Sequence, residues 1–195
     1  MNGLDSIENW SIEEFLQDVF SFFKYSAARR EDYFRVQELL NLEGGLFKRY
    51  VESRWTTLSD VLGVYIGQFE SLKEYFNQLK DTSATNSARY KRIRSVLASP
   101  WSEIYMNFLK SVGTLLNDFL ILFQARKPLI HALYSSMSEL LLKLLQRFVK
   151  SEVIDACGGD YETVCYGEKE NQRHYSAVEI GEIGNCTQVI EFKIS

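Results

Sequence analysis

Proline is nearly absent from this chain of 195 residues, which contains only Pro100 and Pro128. Because proline kinks or ends a helix, its scarcity leaves room for long uninterrupted helices. A hydrophobic share of 46% and an aromatic share of 14% argue against a disordered chain, since disordered segments are poor in such residues. The composition therefore predicts a helical protein with a substantial core.

Cysteine is also scarce. Cys157, Cys165 and Cys186 are an odd number with no closely spaced pair, and adding His174 gives no usual zinc-finger spacing. We therefore expect no metal site and no cofactor. A Ser/His/Asp set and a glycine-rich phosphate loop are not apparent either, so no catalytic residues are assigned.

Signals for secretion and membrane insertion are missing as well. The first residues are acidic and include no positively charged segment, and no apolar stretch long enough to cross a membrane is apparent. The nucleus or the cytoplasm is the expected location, with reduced thiols and no membrane partner.

The charge is unevenly distributed. Residues 151–195 carry three Lys/Arg against nine Asp/Glu, a balance of −6, so residues 1–150 carry +2 of the net −4. Residues 80–94 contain a single acid, Asp81, and a local group of cations that could contact phosphates. These cations are Lys80, Arg89, Lys91, Arg92 and Arg94. A solvated helix face explains the same pattern.

Apolar spacing predicts the helices. Ser11 and Glu14 fit a capping box that starts a helix toward Lys24, and Gly44-Gly45 is expected to end a second helix. Residues 57–79 are predicted to form one helix, in which Gly63 and Gly67 allow close approach of a neighbour.

Two further stripes, at residues 101–123 and 129–149, predict antiparallel helices with Phe119 and Leu144 in the core. The fold class is thus mainly α, a multi-helix bundle. We expect a helical domain over residues 1–150. Residues 151–195 are expected to be an irregular, acidic, loop-rich tail, with a possible short strand at 189–194.

Three ordered blocks carry a family resemblance. They are residues 22–30 (FFKYSAARR), 53–59 (SRWTTLS) and 72–76 (LKEYF). This order resembles the central region of hAT-type transposases and proteins derived from them, which read FxxSxxR, TRWLS and aLxxYF. A weaker fourth block, residues 177–181, resembles a short segment that follows the helical region in that family.

The resemblance implies a helical region inserted in an RNase H-like transposase. Its catalytic acids lie before the first block and after the helical insertion, and they have no counterpart here. We therefore expect a non-catalytic helical scaffold for DNA or protein contacts. DNA is a candidate partner through Arg54, Trp55, Arg89, Lys91, Arg92 and Arg94, and a homo-oligomer or another protein is also a candidate.

Two alternatives stay open. The chain could be a helical protein-interaction module without DNA binding, or a nuclease portion completed by another chain. Trp55 could equally well pack in a core, because the catalytic region beside which it lies in the family is missing here.

Overall fold

The structure is a computed structural model that describes residues 11–42, 44–51, 57–80, 82–124 and 129–174. These residues are mainly helical, as predicted, and no strand occurs among them. The helices are α1 (Ile12–Lys24), α2 (Ala27–Leu39), α3 (Leu58–Gly67), α4 (Phe69–Gln78), α5 (Thr82–Thr85), α6 (Ala88–Ala98), α7 (Ser102–Phe123), α8 (Ile130–Phe148) and α9 (Ser151–Ala156), with 3-10 turns at Tyr161–Thr163 and Lys169–Asn171.

The chain forms two compact units, unit 1 (Met1–Lys110) and unit 2 (Ser111–Ser195). Their boundary lies inside α7, well before the boundary at residue 150 that composition indicated. The expected helical domain thus covers unit 1 and the first part of unit 2.

Helix α1 begins as predicted. The Ser11 hydroxyl accepts a hydrogen bond from the Glu14 backbone N–H at 3.4 Å, which satisfies one of the amides that a helix start leaves unpaired. The apolar face of α1 is buried in unit 1, through Phe15, Leu16, Val19, Phe22 and Phe23.

Helix α2 ends at Leu39, and its C-terminal cap is not a glycine. Asn41 has a φ of 52°, and its N–H donates to the Glu38 carbonyl at 3.1 Å. The Leu42 N–H donates to the Gln37 carbonyl at 3.0 Å. These bonds form a Schellman motif, in which asparagine takes the left-handed position that Gly44-Gly45 was predicted to fill.

The predicted helix over residues 57–79 is interrupted at Gln68, which separates α3 from α4. The Gln68 side chain is buried, and its Oε1 accepts hydrogen bonds from the Tyr33 hydroxyl at 2.9 Å and from Gln37 Nε2 at 3.0 Å. The Tyr33 hydroxyl also lies 2.8 Å from Ser71 Oγ. Buried polar groups need partners, and this network supplies them where the helix breaks.

The glycines of α3 do not have the predicted role. A Cβ placed on Gly67 would meet no atom within 4 Å, and one on Gly63 would touch only the end of the Lys110 side chain, at 3.6 Å. Among the described residues, no helix therefore approaches closely at these two positions, and the prediction of close helix contact is wrong there.

The core of unit 1 is aromatic. Phe23 lies at its centre, with ring centroids 4.9 Å from Tyr33, 5.2 Å from Tyr75 and 5.5 Å from Phe47. Phe76 is fully buried beside them. Such ring pairs add about 0.5–1.5 kcal/mol each beyond the area they bury. The core therefore joins α1, α2, α4 and the extended segment 44–51.

In unit 2, α7 and α8 are antiparallel, as predicted. Arg147 on α8 donates to Ser111 Oγ on α7 at 2.6 Å, and Phe119, further along α7, lines a groove with Met137, which lies earlier on α8. Phe119 and Leu144 are half-buried, so the expectation that they are core residues is wrong.

The small core of unit 2 instead uses part of the predicted tail. It consists of Leu145, Val149, Ile154 and Val164. Residues 151–174 therefore include α9 and a 3-10 turn that pack on α8, and a second 3-10 turn whose Asn171 carbonyl accepts from the Lys150 N–H, so they are more ordered than an irregular tail. The possible strand at 189–194 lies outside the described residues.

Helix α7 is unusually long and apolar. Among the described helices, it is long and apolar enough to cross a membrane when judged by length and composition alone. The chain was expected to have no apolar stretch long enough to cross a membrane, and α7 corrects this expectation as far as length and composition are concerned. Soluble amphipathic helices meet the same criterion.

Candidate functional site

The predicted basic segment lies on α6. The Ser87 hydroxyl caps this helix by accepting from the Tyr90 N–H at 3.1 Å, and Ile93, Val96 and Leu97 bury one face in unit 1. This arrangement places the four predicted cations of α6 together on the remaining surface.

Two of the cations bind an acid that the sequence analysis did not connect with them. Arg92 donates hydrogen bonds to both carboxylate oxygens of Asp18, with Nε 2.7 Å from Oδ2 and a second guanidinium nitrogen 3.0 Å from Oδ1. Arg89 Nε lies 3.2 Å from the same Oδ1. Asp18 is buried on α1 and thus draws two arginines toward it.

A second carboxylate reinforces this cluster. Glu14 Oε1 lies 3.1 Å from Arg92 Nε, and the hydrogen bond with Asp18 is the main reason that the pKa of Arg92 is raised above its ordinary value. We call Glu14, Asp18, Arg89 and Arg92 the α1–α6 charge cluster. It neutralises half of the positive charge that the sequence suggested for α6.

The other two cations of α6, Lys91 and Arg94, differ in their surroundings. Arg94 donates to Asn77 Oδ1, whereas Lys91 is exposed. Tyr90 packs its ring 5.7 Å from that of Phe76 and donates its hydroxyl to the Phe76 carbonyl at 3.1 Å. Tyr90 is therefore a packing residue of unit 1. Arg54 and Trp55 lie outside the described residues.

The first block of the family resemblance forms a helix corner. The Ser26 hydroxyl caps α2 by accepting from the Arg29 N–H at 3.3 Å. The Arg29 side chain turns back to donate to the Phe22 carbonyl, also at 3.3 Å, and its guanidinium lies 4.3 Å from the centroid of the Phe22 ring. These residues fix the turn between α1 and α2.

The third block meets the first in the core. Tyr75 and Phe76 contact Phe23, and Leu72 is fully buried. The two blocks that the structure describes therefore have a packing role in unit 1. The second block, except for its last three residues, and the fourth block lie outside the described part.

The cysteines form no metal centre within the described residues, where no group of three or more His, Cys, Asp or Glu side chains is placed to hold an ion. Cys157 is half-buried and Cys165 is exposed, both as free thiols. Cys186 lies outside the described part of the chain.

Among the described residues, α8 carries an exposed apolar surface that was not singled out from the sequence. Six apolar residues recur at alternating intervals of four and three, which places them along one face of the helix. Ile130 is 82% exposed, Tyr134 78% and Met137 53%. We call these six residues the α8 face: Ile130, Tyr134, Met137, Leu141, Leu144 and Phe148.

Two grooves run along this face within unit 2. One has a volume of about 330 Å³ and lies between the α8 face, Phe119 of α7 and residues 159–162. The other, of about 540 Å³, is lined by Phe148, Tyr166 and neighbouring residues. Leu141 and Leu144 border both, so the grooves form a continuous apolar track.

The sequence predicted an apolar stripe on this helix, at residues 129–149. It did not show which of these apolar residues are buried and which are exposed. Leu145 and Val149 turn into the small core with α9, whereas Tyr134 and Met137 remain exposed.

Comparison of the chain with protein-family models, with curated proteins and with solved structures found no match in any of the three.

Proposed function

We propose that this chain is a non-catalytic helical scaffold that associates with a second copy of itself through the α8 face. The observation that carries the proposal is the exposure of Ile130, Tyr134 and Met137 in register along one helix. Apolar residues in this repeat pack into the matching holes of a facing helix. The scaffold role is also what the resemblance to hAT-type proteins implies.

The exposed area suits a dimer. The exposed residues of the α8 face present roughly several hundred Å² of apolar surface, which is large for a soluble monomer. An interface of standard size buries about 800 Å² on each partner. Two α7–α8 hairpins can complete a four-helix bundle in this way.

The charge pattern supports an identical partner. Glu139 and Lys143 pair with each other at 2.7 Å, at positions outside the α8 face. The six residues of the α8 face are all uncharged, and the acids Asp160 and Glu162 lie at the edge of the groove. A second copy can therefore approach about a two-fold axis, where each face meets its own equivalent, without opposing like charges along the stripe.

The test is the mass of the full chain in solution, measured by sedimentation equilibrium over a range of concentrations. We expect a dimer with a dissociation constant in the micromolar range or tighter. The double variant Tyr134→Glu/Met137→Glu should be monomeric, because it would bury four carboxylates per dimer. Leu39→Glu is the matched control, since Leu39 is 77% exposed on α2 and belongs to unit 1.

A wild-type chain that stays monomeric at high concentration would refute self-association. If that monomer instead sediments with lipid vesicles and the double variant does not, the face binds a membrane surface and the proposal is wrong. Metal-dependent nicking of DNA by the purified chain would refute the non-catalytic assignment.

DNA binding through α6 is a second candidate. The observation in its favour is that Lys80 and Lys91 are exposed, and that Lys91 lies on the same helix as Arg94. The α1–α6 charge cluster weakens this candidate, because Asp18 occupies two arginines that phosphates would need. Its test is the Asp18→Asn variant described in the Discussion.

A further inference from the structure

A pocket in unit 1 combines cations and aromatic rings, and none of its lining residues belongs to α6 or to the α8 face. It has a volume of about 270 Å³ and lies between the later part of α1 and the extended segment 44–51. We call it the Lys24 pocket. Its lining residues are Gln17, Phe20, Ser21, Lys24, Tyr25, Arg49 and Tyr50.

Helical spacing builds one wall of the pocket. Gln17, Phe20, Ser21 and Lys24 follow one another at the intervals that place residues on one face of a helix. This face is separate from the one that α1 buries in the core. Tyr25 follows directly at the end of α1 and is 82% exposed.

The other wall is held by two buried aromatic residues. Phe47 is 5% exposed and Tyr50 2% exposed, so both anchor the extended segment on the core. Arg49, between them, is exposed and lines the pocket. The sequence of this segment therefore presents one guanidinium toward the face of α1 that carries Lys24.

The pocket is electrostatically positive. Lys24 Nζ lies 4.7 Å from the centroid of the Tyr25 ring and 5.8 Å from that of Phe20. The pKa of the Tyr25 hydroxyl is lowered by a hydrogen bond with Lys24 and by the charges of Lys24 and Arg49. The same field that favours a phenolate favours any anion placed there.

Among the described residues, the charged residues that line the pocket are both cations, Lys24 and Arg49. One described acid, Glu13, contacts a lining residue, and its Oε1 accepts from the Tyr50 hydroxyl at 3.5 Å. Gln17, Ser21 and Tyr25 add an amide and two hydroxyl groups, all of which can donate hydrogen bonds. Two cations with such donors match the charge and the oxygens of a phosphate.

We infer that the Lys24 pocket binds the phosphate group of a phosphomonoester, with Lys24 and Arg49 on the phosphate and the organic part against the rings of Phe20 and Tyr25. The pocket volume of about 270 Å³ is several times the roughly 30 Å³ that one water molecule takes in the liquid. A bare phosphate has five heavy atoms. The remaining space fits a small organic group.

The experiment records amide chemical shifts of the full chain by NMR during titration at constant ionic strength. The probes are inorganic phosphate, glycerol phosphate as a free metabolite, and a phosphotyrosine peptide as a modified side chain. The unphosphorylated peptide is the control ligand. We expect saturable shifts confined to residues 17–25 and 47–50, with at least one phosphomonoester binding tighter than inorganic phosphate.

Variants complete the test. Lys24→Gln and Arg49→Gln should each weaken binding about tenfold, whereas Lys91→Gln, which removes an exposed cation on α6, should not change it. All three residues are exposed, so the fold should be kept, as circular dichroism can verify. Shifts that spread equally over α6, or affinity unchanged in both pocket variants, would overturn the inference.

Discussion

Units 1 and 2 contain helices with similar apolar stripes, but they bury these stripes to different extents. In unit 1, elements from α1, α2, α4 and segment 44–51 converge on the rings around Phe23. In unit 2, the described contacts cover Leu145 of α8 and Val149 directly after it, and leave Tyr134 and Met137 exposed. The stability of the fold therefore depends mainly on unit 1, and unit 2 provides surface for association.

Matched alanine substitutions test this comparison most strongly. Phe76→Ala should cost about 3–5 kcal/mol of unfolding free energy, because Phe76 is fully buried among other rings. Phe119→Ala should cost about 1 kcal/mol, since Phe119 is half-buried and its groove is open. Urea unfolding at low protein concentration measures both. Equal costs would mean that the two units are packed alike.

Alkaline pH should destabilise unit 1 next. Burial raises the pKa of Tyr33 to about 12 and also raises that of Tyr65. The unfolded chain ionises near pH 10, so the stability that neutral Tyr33 provides is complete below pH 10 and is lost as pH rises toward 12. The loss is about 1.4 kcal/mol per pH unit for one tyrosine.

The measurement is urea unfolding between pH 9 and 12, with phenolate absorbance followed in parallel. Tyr33→Phe should reduce the slope of stability against pH, because phenylalanine does not ionise. A variant with an unchanged slope would show that Tyr33 titrates as if it were exposed.

The α1–α6 charge cluster gives a smaller effect on stability and a clear effect on binding. Asp18→Asn should cost about 1–2 kcal/mol, because hydrogen bonds to a charged partner are lost while both arginines stay half-exposed. If α6 binds DNA, the variant should bind more tightly, since Arg89 and Arg92 become available to phosphates.

Salt dependence measures that gain. Each neutralised phosphate contributes about −0.9 to the slope of log K against log salt, so two available cations give about −2 and four give about −4. Asp32→Asn is the matched control, because Asp32 pairs with Arg35 on α2 and not with α6. No detectable DNA binding by Asp18→Asn at low salt would eliminate the α6 interface.

Local sequence signals predicted the helices well where the cause is local. The Ser11 cap, the buried face of α1 and the extent of α7 all follow from neighbouring residues. The break at Gln68 could not be predicted in this way, because its partners Tyr33 and Gln37 are more than thirty positions away. Distant partners decide such breaks.

The candidate sites follow the same rule. Charge density identified the cations of α6, but Asp18 lies 71 and 74 positions away from the two arginines that it binds. Periodicity identified an apolar stripe on α8, but not which of its residues α9 covers. Composition limits what a surface can bind, and tertiary contacts decide which of its groups are available.

The smallest expected effect on the unfolding free energy concerns how closely segment 44–51 packs against the rest of unit 1. A Cβ on Gly44 would overlap Nε2 of Gln37, which is buried and donates to Gln68. A Cβ on Gly45 would meet no atom within 4 Å. Gly44→Ala must therefore displace the Gln37 amide and should cost about 1 kcal/mol, with Tyr33 still bonded to Gln68.

Gly45→Ala is the control for that substitution, one residue away in the same extended segment. It should change the unfolding free energy by less than about 0.5 kcal/mol, or stabilise slightly by restricting the unfolded chain. Thermal unfolding of the two variants side by side can resolve the difference. If both glycines tolerate alanine equally, the Gln37 amide is free to move, and the polar network of unit 1 is looser than its hydrogen bonds indicate.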